Sequence, residues 1–364
     1  YNDLELTNKY EEYKIGLSNI TVYARWQEEV LPTQLTYSIN NGKVTISGSS
    51  FDEADVILPD FIGGNVVTYI SSYSFENKTS WKNVTVPDSV TSIGKGAFAG
   101  LKLEKITLPF VGESESATSY SSVFGYIFGY TYATGASYST KEFKTSGLMG
   151  FTTQHYNATT YYDRYDRATS YRYYIPSELK EVIITKQNDI PSYAFYNCDL
   201  IENITIPSTT TTIGLCAFYN CSGLKRFNSD IDGEFNIPVG VTTISSYAFY
   251  NCSQAIKWII GEVTYIGEFA FYGCPLTEYF NSETQYKIEV PSTCTTIGQY
   301  AFNNMSLITE VNVPDSVTSI GEGAFKGLNL LEKITLPFVG ESESATGYSS
   351  VFGYIFGYTY ATGA

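Results

Sequence analysis

The side chains most able to do chemistry are few. Among 364 residues there is one histidine, His155, and six cysteines. His155 lies between Gln154 and Tyr156 with no serine or cysteine elbow beside it, so it reads as a loop residue rather than a general base. Cys198, Cys221, Cys252 and Cys274 each stand three residues after a phenylalanine that follows alanine. They therefore share one position of a repeating pattern. Cys294 takes an aliphatic position of that pattern, and Cys216 directly precedes Ala217-Phe218. No Cys-x-x-Cys pair exists, which argues against zinc. The thiols are expected to be free and buried as small apolar groups. An inter-repeat disulfide such as Cys198–Cys221 is the alternative, because units stacked about 5 Å apart fall within disulfide reach. Asp163 and Asp166 alternate with Arg164 and Arg167, too thin a set for calcium, which takes about six to eight oxygens. Asp52-Glu53-Ala54-Asp55, Gly94-Lys95-Gly96 and Gly321-Glu322-Gly323 touch nucleotide-binding patterns without a phosphate-binding loop. No catalytic set emerges. The chain is expected to be no enzyme and to use no cofactor or metal.

What remains is surface. A net charge of −15 and a pI near 4.6 argue against nucleic acid and anionic lipid as partners. No apolar run is long enough to span a membrane. The 33 tyrosines and 22 phenylalanines are set against only 16% charged residues. Many of the tyrosines fall between Phe110 and Pro176, a stretch rich in Ser, Thr and Gly. Tyr161, Tyr162, Tyr165 and Tyr171 are candidate contact residues, since Tyr gives large contact area at small entropy cost. The aromatic residues Phe124 and Phe128, with Ile127, read instead as the stretch's own core.

The elements that must position these residues are repeats. Phe75, Phe98, Phe195, Phe218, Phe249, Phe271, Phe302 and Phe325 each follow a small residue, mostly at spacings of 22, 23 or 31. Each unit has a short strand of alternating pattern whose outer residues point inward, as Ile204/Ile206 and Ile334/Leu336. Proline commonly ends it, and a second apolar pair such as Val241/Ile244 follows. One unit cannot bury its apolar face alone, so the copies must stack. Nine strands are expected, with the spacings of 31 marking eight added residues near Asn228–Glu234 and Asn281–Lys287. The middle strand residues line the opposite face: Thr107, Ile183, Thr205, Asn236, Ile259 and Glu289 are the candidate ligand contacts there.

The segments Val86–Phe98 (VPDSVTSIGKGAF) and Leu103–Pro109 (LEKITLP), echoed at Ile206–Cys221, Ile237–Cys252 and Val313–Phe325, resemble the BspA-like, type 5 leucine-rich repeat of surface proteins. The resemblance implies a right-handed leucine-rich-repeat solenoid, mostly β with short helical turns, and a role in adhesion at a cell surface. Ile20–Trp26 (ITVYARW) and Leu6–Lys9 resemble the end of a Listeria–Bacteroides, internalin B-type repeat. That implies a bacterial source and neighbouring surface modules.

The expected organisation is a partial internalin-type repeat at 1–30, a hairpin cap at 35–58 signalled by Asn41-Gly42, and a first solenoid part at 59–109. A Tyr-rich insertion at 110–178 and a second solenoid part at 179–337 follow. Val313–Ala364 repeats Val86–Ala136 with one added residue, so a truncated second insertion is expected at 338–364, packed less well than the first. The expected function is a non-catalytic adhesion or protein-binding module of a bacterial surface protein, extracellular, whose partner is a host or bacterial surface protein or a glycan. A Tyr-based carbohydrate-binding surface and a passive stalk are the alternatives.

Overall fold

The computed structural model describes Glu12–Tyr13, Val22–Tyr23 and residues 32–118, 121–133, 151–157, 170–275, 279–280 and 285–357. Its main feature is a twelve-stranded sheet running from Asp55–Ile57 at one end to Lys333–Thr335 at the other. Each rung reads like Lys105–Leu108, where Ile106 and Leu108 are buried and Lys105 and Thr107 are half-exposed. Neighbouring rungs pair in parallel and in register: Val84, Ile106, Val182 and Ile204 form one column. The expected inward pairs are buried through Val311/Val313, while Ile334 and Leu336 in the last rung are partly buried.

The return side carries two-residue strands. Those from Asp189–Ile190 to Ser319–Ile320 form a six-stranded parallel sheet. The hairpin Leu35–Asn40/Lys43–Ser49 joins Phe61–Ile62, Asn65–Ile70 and Ser92–Ile93 in a separate five-stranded sheet. Asn41 and Gly42 both have positive φ (50° and 74°), as a two-residue hairpin turn requires. Behind the strands, Phe195, Phe218, Phe249 and Phe271 stack ring on ring at 5.4, 5.1 and 6.0 Å.

Three expectations need correction. First, the Ala-Phe turns are not helical. Each holds two left-handed residues, two before and two after the phenylalanine, as in Tyr193 (φ 62°) and Asn197 (φ 57°) or Tyr247 (58°) and Asn251 (57°). Left-handed residues stop a helix, and 3-10 turns occur elsewhere, as at Phe124–Phe128. Second, the sheet has twelve rungs, not nine. The eight added residues place Arg226–Phe227 beside Glu234–Asn236, and Tyr279–Phe280 beside Lys287–Glu289. Between Asn203–Thr205 and Lys257–Ile259 the sheet thus takes three steps, about 14 Å. The turns take two, of 5.1 and 6.0 Å. The strand face is the longer side there.

Third, residues 110–128 belong to the stack. Ile93 N–H donates to Glu113 C=O (2.8 Å), and Phe98 N–H to Ile127 C=O (2.9 Å). Phe124 N–H donates to Ala194 C=O (2.8 Å), and its ring lies 5.0 Å from Phe195. The apolar Val123-Phe124 and Ile127-Phe128 pairs thus bridge the coils on either side. The outgrowth proper is a three-stranded antiparallel sheet, Tyr130–Ala133, Ser170–Pro176 and Phe151–Asn157. Val111 and Phe124 are fully buried. In the repeated copy, Val339 and Phe352 are 57% and 49% exposed.

Candidate binding surfaces

On the strand face, Thr107, Ile183, Thr205, Asn236 and Glu289 are half-exposed and Ile259 is 37% exposed. They fall into one lengthwise row, because Thr107, Ile183 and Thr205 are in register, as are Asn236 and Ile259, and Glu289 and Asn312. Charged residues beside the row pair between rungs. Lys105 meets Glu181 (2.9 Å), and Lys257 meets Glu234 (2.7 Å). Glu310 is shared by Lys287 (3.5 Å) and Lys333 (2.9 Å). A second column pairs Lys82 with Glu104 (3.2 Å), and Glu202 with Lys180 (3.3 Å) and Lys225 (2.8 Å). The Lys257 and Lys225 ammonium groups hold the Glu234 and Glu202 carboxyls below the usual range. The face is therefore a rigid polar surface with its charges largely compensated.

Tyr161, Tyr162 and Tyr165 lie outside the described residues, as do Asp163 and Asp166. Tyr171 sits in the central strand of the outgrowth, opposite Tyr132 on one side and Tyr156 on the other. This register sets three tyrosines in one cross-strand row. His155 stands opposite Arg172. Tyr173 and Ile175 of the same strand are fully buried, as are Phe124 and Ile127, and Phe128 is 4% exposed.

The turn edge was not foreseen. Tyr196, Tyr219, Tyr250 and Tyr272 stack at 4.8, 4.6 and 4.7 Å with their planes within 12°. A second column runs Tyr247–Phe269–Tyr300 at 4.9 and 4.8 Å. Beside them Asn220 Nδ2 donates to Asn197 Oδ1 (3.0 Å), and Asn251 Nδ2 to Asn220 Oδ1 (2.6 Å). The recurrence of Tyr directly after the turn phenylalanine in four successive units was the available signal. The stacked rings cover one another's faces, so they offer ring edges rather than platforms for sugars. Burial raises the Tyr196, Tyr219 and Tyr250 phenols, which keeps the edge uncharged.

All six cysteines are free and buried, so the disulfide alternative is not adopted. The Cys221, Cys252 and Cys274 thiols donate to the carbonyls of Phe195 (3.1 Å), Phe218 (3.3 Å) and Phe249 (3.2 Å) in the preceding coils. Burial pushes Cys274 up to about 12 and Cys294 to about 11. Among the described residues no group of three His, Cys, Asp or Glu could hold a metal ion.

Stacked coils, a parallel sheet on one side and phenylalanine turns behind it define a leucine-rich-repeat solenoid. Residues 36–128, 168–286 and 277–352 match the family described as BspA type leucine rich repeat region, in six copies. The chain belongs to that family. The chain is similar to three solved structures. A leucine-rich repeat protein from Bacteroides ovatus is 17% identical over 84% of this chain and 87% of that one, with a TM-score of 0.34. A leucine rich cell surface protein from Faecalibacterium prausnitzii is 17% identical over 88% and 97%, with a TM-score of 0.28. A pneumococcal vaccine antigen is 15% identical over 84% and 80%, with a TM-score of 0.31. No curated protein matches.

Proposed function

We propose that the chain is a non-catalytic protein-binding module of a bacterial surface protein, extracellular, and that its strand face makes the contact. The observation that carries this reading is the charge pairing along that face. Lysines and glutamates already matched to each other keep their partners when a protein covers them, so burial leaves no isolated charge. Rungs locked in register supply a preorganised surface. Membership of a BspA-type repeat family supports the surface location. Binding through glycan is a second reading, favoured by the Tyr132–Tyr171–Tyr156 row. Both readings are tested by binding to immobilised matrix proteins, mucin and a glycan array. The variants are Thr205→Arg/Asn236→Arg, and replacement of 131–172 by a Gly-Ser link, which spares Phe124–Phe128 and the buried Tyr173. Loss with the Arg pair alone supports the strand face, and loss with the deletion alone supports the glycan reading. No binding by the intact chain overturns both and leaves a passive stalk.

A further inference from the structure

One coil lacks its return strand. The rungs Asn83–Thr85, Lys105–Leu108 and Glu181–Ile184 are consecutive in the twelve-stranded sheet. The first and third coils return through Ser92–Ile93 and Asp189–Ile190, yet these two strands do not pair. Two steps separate them, about 10 Å, with room for one strand. The middle coil sends Glu113 C=O to Ile93 N–H (2.8 Å) and Val111 N–H to the Gln187 side chain (2.8 Å), and residues 114–118 add no return-ladder bond among the described residues.

Elsewhere the return ladder is closed. Thr211 N–H donates to Asn188 C=O (2.7 Å), Thr242 N–H to Thr211 C=O (2.9 Å), and Thr264 N–H to Thr242 C=O (2.8 Å). At the gap, Asn188 N–H and Thr91 C=O have no partner among the described residues. Pro191 stands where the other return turns have Gly or Ser, as at Gly94, Gly214 and Ser245. It has no N–H to offer the preceding coil. The gap is a cleft of about 490 Å³ lined by Thr91, Phe110, Ser114, Glu115, Asn188 and Asp189 among others. The Glu115 and Asp189 carboxylates have no cationic partner among the described residues. Lys186, also on the rim, turns its Nζ to Asp88 C=O (3.4 Å). The same wiring recurs in the repeated copy, where Ile320 N–H donates to Glu341 C=O (2.8 Å).

We propose that this cleft takes an extended peptide of a partner protein as the missing return strand, with a basic side chain set against Glu115 and Asp189. Strand addition supplies main-chain hydrogen bonds for affinity and side-chain pockets for selectivity. A sugar is the poorer fit, because the cleft offers no open aromatic face: Phe110 is 2% exposed. The site is distinct from the strand face, so either could bind without the other.

The test uses the full chain and a fluorescein-labelled peptide copying Val241–Ser246 with a lysine at each end, read by anisotropy at physiological salt. Its twin has glutamates at the ends. The lysine peptide is expected to saturate, to bind at least five-fold tighter than its twin, and to slow hydrogen exchange at Asn188 and Asp189. Glu115→Lys is expected to erase or reverse the preference, and Ser116→Trp, at the exposed rim, to weaken both peptides. Neither change touches the core, and circular dichroism checks folding. No saturation by 1 mM, binding without protection at Asn188 and Asp189, or binding of monosaccharides in place of peptide would overturn the proposal.

Discussion

Phe124 and Phe352 sit in the same seven-residue sequence, Val-Phe-Gly-Tyr-Ile-Phe-Gly. Both begin a 3-10 turn and both face a second phenylalanine edge-on, at 5.4 and 5.2 Å. Local propensity is therefore equal, and only the neighbours differ. Phe124 is fully buried and packs 5.0 Å from Phe195, whereas Phe352 is 49% exposed. Truncating a buried phenylalanine loses its transfer energy and leaves a cavity, about 3–5 kcal/mol together. At Phe352 roughly half the transfer term applies and the site opens to solvent, so about 1 kcal/mol is expected. Phe124→Ala should therefore destabilise the chain by roughly 2–4 kcal/mol more than Phe352→Ala. Urea unfolding followed by far-ultraviolet circular dichroism measures both, and hydrogen exchange at the amides of Phe98 and residue 124, which donate to Ile127 and Ala194 C=O, localises the loss. Costs equal within about 0.5 kcal/mol would refute the assignment of 110–128 to the stack.

The thiols should be silent: with burial holding them protonated, a disulfide reagent at pH 8 should label none in the folded chain and all six after urea. Stoichiometric labelling of folded protein would contradict the closed ladder. The Glu234 carboxyl has a lowered pKa because Lys257 bonds its charged form. Its contribution is present above the unfolded glutamate pKa and is lost as the pH falls through the folded one. Glu234→Gln should thus lose less stability than wild type between pH 5 and 3, by up to about 1 kcal/mol. Parallel acid limbs would show the pair to be inert. Asn220 is left-handed (φ 57°) and ladder-bonded on both sides. Asn220→Ala should cost about 1 kcal/mol more than Asn220→Gly, since only alanine adds backbone strain. Equal midpoints in thermal melts would remove the strain argument.

The repeat was legible because its physics is local. A two-residue period and a phenylalanine every 22 or 23 residues fixed which side chains face inward, and Ile204/Ile206 or Phe235/Ile237 lie where that period puts them. The extra rungs were not legible, since Arg226–Phe227 is too short to announce a strand and exists only by pairing across coils. The turns misled for a related reason. Tyr193, Cys216 and Phe269, two before the phenylalanine, take positive φ although their residue types do not announce it, whereas the position two after it is always Asn or Gly, residue types that favour positive φ, and was a signal left unread. The strand-face row was readable from alternation alone. The cleft was not, because it arises from a bond that Glu113 makes and residues 114–118 do not.

The stack is braced unevenly along its length. Over most of it two sheets run side by side, like the two flanges of a beam. Between Ser92–Ile93 and Asp189–Ile190 the second sheet is interrupted, and among the described residues the twelve-stranded sheet, the Phe124–Phe195 contact and a few single bonds, such as Phe124–Ala194 and Val111–Gln187, carry across. Bending stiffness is therefore lowest at that seam, and a load that spreads the return side works first on the Phe98–Ile127 and Phe124–Ala194 bonds. A tethered array pulled by flow would flex there, leaving the strand face continuous while its two halves change their angle.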